Sequence, residues 1–365
     1  MLNSNKLVKT KSTQNRFAFA DGLRGLAALW VVFFHLSEGH HVDSLRSILP
    51  NFINNILFNF GHLGVAIFFV LSGYVMAYTV QSSAVNTKLS IKFILRRFLR
   101  LTPPYYFAII FAIAFLLLKR ISTQENVTLP SVSDFFIHLL YLQEFFNIHE
   151  INTIFWTLCI EVQFYIFFIL LVLFSDYINK FSNLTNGRAL VFTLVGLLSL
   201  PWAFHNELAV FWTGSFIKYW YSFMAGALVC WSIKGSISQR YFVIIYILAI
   251  AIAGLITEQQ FVFTAGLTAS LLLFAGLNNY MNSWLNWKWL QKIGLISYSL
   301  YLLHNPITGA TANIIHRLLP QGVITDLVVT VATLTTSLIT AWIMYKYIET
   351  PSIQLSHKIS PVNNK

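Results

Sequence analysis

The sequence predicts an all-α, polytopic integral membrane protein with about ten transmembrane helices and both termini in the cytoplasm. Three observations predict it. Of 365 residues, 56% are hydrophobic and only 10% are charged, against about 25% charged in soluble domains. The apolar residues gather in ten stretches, near 20–38, 61–80, 101–118, 155–175, 189–205, 215–233, 241–257, 260–277, 293–315 and 324–346, and about 20 apolar residues cross a bilayer as a helix. With the N-terminus inside, eighteen of the 24 Lys and Arg fall in inner connections and tails, five fall outside and Arg24 lies within the first span. That asymmetry is the positive-inside pattern.

The chain then divides into a cytoplasmic N-terminal tail (1–16), a transmembrane domain (17–350) and a cytoplasmic C-terminal tail (351–365). The tail carries Lys6, Lys9, Lys11 and Arg16 and no small-residue cleavage site, so a removable signal peptide is not expected. A net charge of +11 would suit nucleic acid, but its distribution in alternate loops assigns it to membrane orientation, with lipids and not nucleic acid as the partner. The two cysteines, Cys159 and Cys230, sit in apolar stretches and offer neither a disulfide framework nor zinc-ligand spacing, and no metal is expected. Segment 134–150 is too short and too interrupted for a span and reads as an interfacial or re-entrant element on the outer side.

Taken in order, the first span carries Arg24 and His35, eleven residues apart. At 100° per residue they fall on one helix face, about 16.5 Å apart along the axis. An arginine inside a membrane costs about 2.5–3.5 kcal/mol even on lenient scales, so two ionisable groups on one stripe mark a functional site. The second span, Gly61 to Tyr74, holds small residues that permit close helix packing or a narrow tunnel. Before the third span, Arg97 and Arg100 are i, i+3 neighbours: either an orientation-setting basic loop, or a pair of guanidinium forks converging on one anion such as phosphate. The fourth span, entered from outside, places Glu161 about two turns deep in the same outer half as His35, as catalytic support or as a member of a buried ion pair. The block Ser297 to Pro306 brings His304 to the depth of His35 and suggests a polar chamber. His40 and His41 beside Glu38 have no ligand spacing and read as loop histidines.

As an ordered set these elements resemble the membrane-bound acyltransferase-3 family, whose members O-acylate cell-envelope sugars and other hydroxyl compounds. The matching pieces are Arg24 and His35 after Asp21-Gly22-Leu23, the Phe68-Phe69-Val70-Leu71-Ser72-Gly73 span, Arg97 and Arg100 before Pro103, the Trp156–Tyr165 block around Glu161, Ser297 to His304, and the closing Ile348-Glu349-Thr350-Pro351. Two departures stand out: Ala66 and Val162 occupy positions where the family often has acidic residues. Some members of that family carry an esterase-like domain after the membrane part; this chain is expected to act without one, alone or with separate proteins.

On that resemblance the chain is expected to move an acyl group, most often acetyl, from acetyl-CoA to a hydroxyl of a cell-envelope polysaccharide or lipid-linked sugar. Arg24, Arg97 and Arg100 would hold the coenzyme A phosphates at the inner mouth. The pantetheine arm, similar in length to the Arg24–His35 rise, would carry the thioester inward. His35 would act as general base, or as the carrier of an acyl-histidine intermediate, with Glu38 or Glu161 orienting its ring. Trp156, Tyr298 and His304 are assigned to the acceptor side. A transporter or channel with a buried Arg/His/Glu path is the alternative.

Overall fold

The computed structural model describes residues 17–80, 87–123, 127–182, 187–205, 214–235 and 240–359. The predicted N-terminal tail and the last six residues of the C-terminal tail lie outside them. Among the described residues the fold is all α-helical with no strand. The helices are α1 (Ala18–Glu38), α2 (Asp43–Ile48), α3 (Asn51–Asn54), α4 (Gly64–Val80), α5 (Thr87–Thr123), α6 (Val132–Leu139), α7 (Trp156–Ser182), α8 (Gly187–Phe204), α9 (Trp220–Ile233), α10 (Arg240–Ile256), α11 (Gln260–Leu277), α12 (Lys288–Leu318), α13 (Val323–Met344) and α14 (Thr350–Lys358). Each of the ten apolar stretches holds a helix, and seven described helical segments are long and apolar enough to cross a membrane. The chain is a polytopic membrane protein.

Three boundaries differ from the sequence expectation. Helix α5 starts at Thr87, inside the stretch read as a basic loop, and runs 37 residues straight through Pro103 and Pro104. Proline removes its own N–H and crowds the preceding turn, but neighbouring helices can re-satisfy the freed backbone groups. The Tyr298 hydroxyl donates to the Leu101 carbonyl at 2.9 Å in the same turn. Residues 351–358, expected as tail, belong to α14, which continues beyond a widened π-helical turn at Tyr345–Glu349. Helix α12 begins at Lys288, five residues before the predicted span.

The 134–150 segment forms no helix of membrane length. It contains α6, started by a capping box in which Ser131 Oγ accepts from the Asp134 N–H at 3.1 Å and Asp134 Oδ2 accepts from the Ser131 N–H at 2.8 Å. Turns from Leu140 to Phe155 follow.

Helix α1 lies between α12 on one side and α4 on the other, and α4 in turn packs along α9. Glycine sets these distances. A Cβ added at Gly294 of α12 would lie 2.0 Å from the Asp21 carbonyl oxygen of α1, and one at Gly226 of α9 would lie 1.8 Å from the Val70 oxygen of α4. The backbones touch, as small-residue crossings in membranes allow. Gly226→Ala should therefore force α4 and α9 apart, at a cost of about 1–3 kcal/mol or more. A melting temperature for the solubilised variant equal to that of the native protein would contradict this close approach.

Beyond Glu38 the chain folds into a cap over the end of α1. The Leu45 N–H of α2 donates to Oδ2 of the buried Asp326 at 2.8 Å. His316 Nε2 donates to the His41 carbonyl at 3.0 Å. Arg46 reaches Asn54 at 2.9 Å and Asn59 at 2.7 Å.

Candidate active site

The sequence stripe on α1 becomes two polar clusters at opposite ends of one helix. At the capped end, His35 is almost buried, with 9% of its side chain exposed, and its Nδ1 meets Glu38 Oε2 at 2.7 Å. A carboxylate only accepts, so Nδ1 carries the hydrogen, and in the neutral ring Nε2 is then the lone-pair nitrogen. One helical turn separates the two residues, which is why the i, i+3 spacing brings them together. The ring of His304, from α12, lies 5.0 Å from the His35 ring centroid at 49°. Tyr301, one turn back along α12, is 5.9 Å from His304 and shares a hydrogen bond of 2.8 Å with Thr157 of α7.

At the other end, Arg24, Arg97 and Arg100 lie within one another's electrostatic reach. Arg24 faces Asp21 at 3.8 Å. The Arg97 guanidinium sits 5.4 Å over the Tyr165 ring and 5.7 Å over Phe93, a stacking that lysine cannot reproduce. Glu161 belongs here and not with His35. It accepts from the Ser72 hydroxyl of α4 and the Tyr165 hydroxyl of its own helix, and it couples to Arg24 and Arg97. Glu349, in the widened turn before α14, accepts from Ser299 at 2.6 Å and couples to Arg24 and Arg100. Three arginines thus share a site with three carboxylates.

The remaining sequence candidates separate. Tyr298 lies at the arginine end, bonded to Leu101, six residues and about 9 Å of helix rise from His304. Trp156 joins an aromatic box, 5.5 Å from Tyr219 and 6.2 Å from Phe69. Cys159 is a free, buried thiol that donates to the Tyr141 carbonyl at 2.9 Å. His40 pairs with Asp43 on the surface of the cap, whereas burial, with His316 beside it, pushes the His41 ring below the usual histidine range. In the turns after α6, burial and the adjoining Glu144 push the Glu150 carboxyl up to about 8. Among the described residues no three His, Cys, Asp or Glu converge as a metal site. An apolar groove of about 610 Å³ beside Phe19, Leu23, Trp284 and Trp287 touches none of the candidate residues.

This arrangement, with arginines of α1 and α5 gathered at one end of α1 and a carboxylate-oriented histidine at the other, agrees with comparison to known proteins. Residues 17–346 match the acyltransferase-3 model, described as an acyltransferase domain. The chain belongs to the acyltransferase-3 family. It is similar to the O-acetyltransferase OatA of Staphylococcus aureus, at 27% identity over 91% of this chain and 56% of that protein. It is also similar to the peptidoglycan O-acetyltransferase OatA of Listeria monocytogenes, at 25% identity over 91% and 55% of the two chains. A putative peptidoglycan O-acetyltransferase, YrhL of Bacillus subtilis, shows 26% identity over 79% and 48%. The chain spans about half the length of these relatives. No solved structure matches.

In this acyltransferase-3 chain the sequence reading gave no role to Ser72, Tyr165, Ser299 or Glu349, although each stood in a quoted motif. The available signal was chemical: a carboxylate or hydroxyl within a membrane helix needs a partner, and each of these is a partner to another.

Proposed function

We propose that the chain is an O-acyltransferase that moves an acetyl group from acetyl-CoA to a hydroxyl of a cell-envelope glycan or lipid-linked sugar. The observation that carries this reading is the placement of Arg24 and the His35–Glu38 pair at the two ends of α1, with Arg97 and Arg100 beside Arg24. The arginine end faces the cytoplasm, as the charge asymmetry of the connections requires. Arg97 and Arg100 bind the phosphates of coenzyme A, and guanidinium forks match phosphate oxygens in pairs. The uncharged pantetheine arm follows α1 toward His35, so the phosphates need not cross.

There the chemistry is a proton-coupled substitution. Glu38 holds the His35 Nδ1–H, and Nε2 takes the proton of the acceptor hydroxyl as its oxygen forms a bond to the thioester carbonyl carbon. The carbon–sulfur bond breaks and the proton passes from His35 to the departing thiolate. Glu161 and Glu349 hold the arginine cluster in place through Ser72, Tyr165 and Ser299. His304 stands beside His35 on the acceptor side, Tyr298 lines the donor end, and Trp156 packs in its aromatic box. The relatives' names favour an envelope polymer as acceptor.

The test pairs binding with product. The purified protein in lipid nanodiscs should bind acetyl-CoA saturably, and mass spectrometry should find base-labile acetyl groups on envelope glycans only in cells that make the protein. A protein that carries sugars or protons across the membrane has no reason to bind the thioester. Absence of both signals would leave the transporter reading standing.

A further inference from the structure

His304 carries a specific signature that the scheme above leaves unused. Its Nδ1 lies 2.7 Å from the Tyr301 carbonyl and 3.1 Å from the Leu300 carbonyl. Carbonyl oxygens only accept, so Nδ1 bears the hydrogen and Nε2 of the neutral ring is a bare lone pair. That Nε2 is fully buried and has no hydrogen-bond partner among the described residues. A buried polar atom without a partner is costly, and in a functional site it marks a group waiting for a ligand.

The neighbour makes the signature informative. His35, 5.0 Å away between ring centroids, is pinned in the same tautomer by Glu38. Two bare Nε2 atoms cannot hydrogen-bond to each other. Each needs a donor, and a single hydroxyl has one hydrogen to give. If that hydrogen goes to His35 for the reaction, His304 is still unsatisfied.

We propose that His304 is a second catalytic histidine, whose Nε2 accepts a hydrogen bond from a second donor on the acceptor, a neighbouring O–H or amide N–H. The inference rests on the O-acyltransferase reading and narrows its substrate class. The acceptor presents two donors to the chamber, one that reacts at His35 and one that orients it at His304. Simple alcohols with a single donor are then poor acceptors, and glycans, dense in hydroxyl and amide groups, are good ones. His304 has no exposed surface, so the packing around it must open to admit such a molecule.

Two amide substitutions separate the two ring nitrogens. His304→Asn places its amide N–H near the position of Nδ1, keeping the bonds to Leu300 and Tyr301 while removing the Nε2 acceptor. His304→Gln reaches the position of Nε2 with a carboxamide that can accept, but gives up the backbone bonds. The His304→Asn protein should melt near the native temperature and bind acetyl-CoA as tightly, while glycan O-acetylation falls by about tenfold to a hundredfold. The His304→Gln protein should be less stable yet transfer more than His304→Asn. A ring that only packs predicts the opposite order, with activity following stability, and that order would overturn the proposal. So would native O-acetylation in both variants, or a loss confined to acetyl-CoA affinity. If the native protein itself neither binds acetyl-CoA nor acetylates glycan, the acyltransferase reading fails first and this one falls with it.

Discussion

His35→Ala should abolish acyl transfer while leaving acetyl-CoA binding close to native. The imidazole is eleven residues from Arg24 along α1, about 16.5 Å of helix rise, so its loss leaves the phosphate contacts untouched. Removing a general base typically costs about a hundredfold to ten-thousandfold in turnover. His35→Gln is the sharper variant, because it keeps a polar side chain of similar reach beside Glu38 but cannot take up a proton near neutral pH. Turnover near native in His35→Gln would exclude His35 as the base and turn attention to His304. A drop in thermal stability that accounts for the whole loss of activity would assign His35 a packing role instead.

Arg97→Ala and Arg100→Ala should produce the reverse pattern, weaker acetyl-CoA binding in a protein that still folds and inserts. Hydrogen bonds to charged groups contribute about 1.5–3 kcal/mol, so a loss of about tenfold to a hundredfold in affinity is expected for each. Lysine should rescue only in part, and least at position 97, where the guanidinium stacks on Tyr165 and Phe93. Isothermal titration of nanodisc-embedded protein would read both. If neither alanine variant changes affinity, the pair serves membrane orientation alone.

The ten apolar stretches were legible because helix formation in a membrane is dictated by length and hydropathy, properties of contiguous sequence. The His35–Glu38 contact was legible for the same reason: it lies within one helix, at a spacing that fixes which side chains meet. What failed to show was the vertical register between helices. Counting in from the start of its span put Glu161 at the depth of His35, whereas it lies at the arginine end of α1. Which face of α7 turns toward α4 depends on packing between distant segments, and that packing gives Glu161 to Ser72 and Tyr165. Tyr298 and His304 share a motif, yet about 9 Å of helix rise places them in different clusters. The helical run through Pro103 and Pro104 was hidden because a proline pair reads as a break unless neighbouring helices compensate for the missing donors.

The three carboxylates among the three arginines bear on how the chain is assembled. Asp21 and Arg24 enter the bilayer together on the first helix, so that segment is partly neutralised as it inserts. Arg97 and Arg100 arrive on α5 before Glu161 on α7, and Glu349 comes only with the last turns of the chain. During synthesis the early helices therefore hold uncompensated positive charge, which favours contact with anionic lipid headgroups until the later helices arrive. Glu349 then brings the third carboxylate to the arginine cluster. A chain truncated before Glu349 would leave the arginine cluster short of one counter-charge.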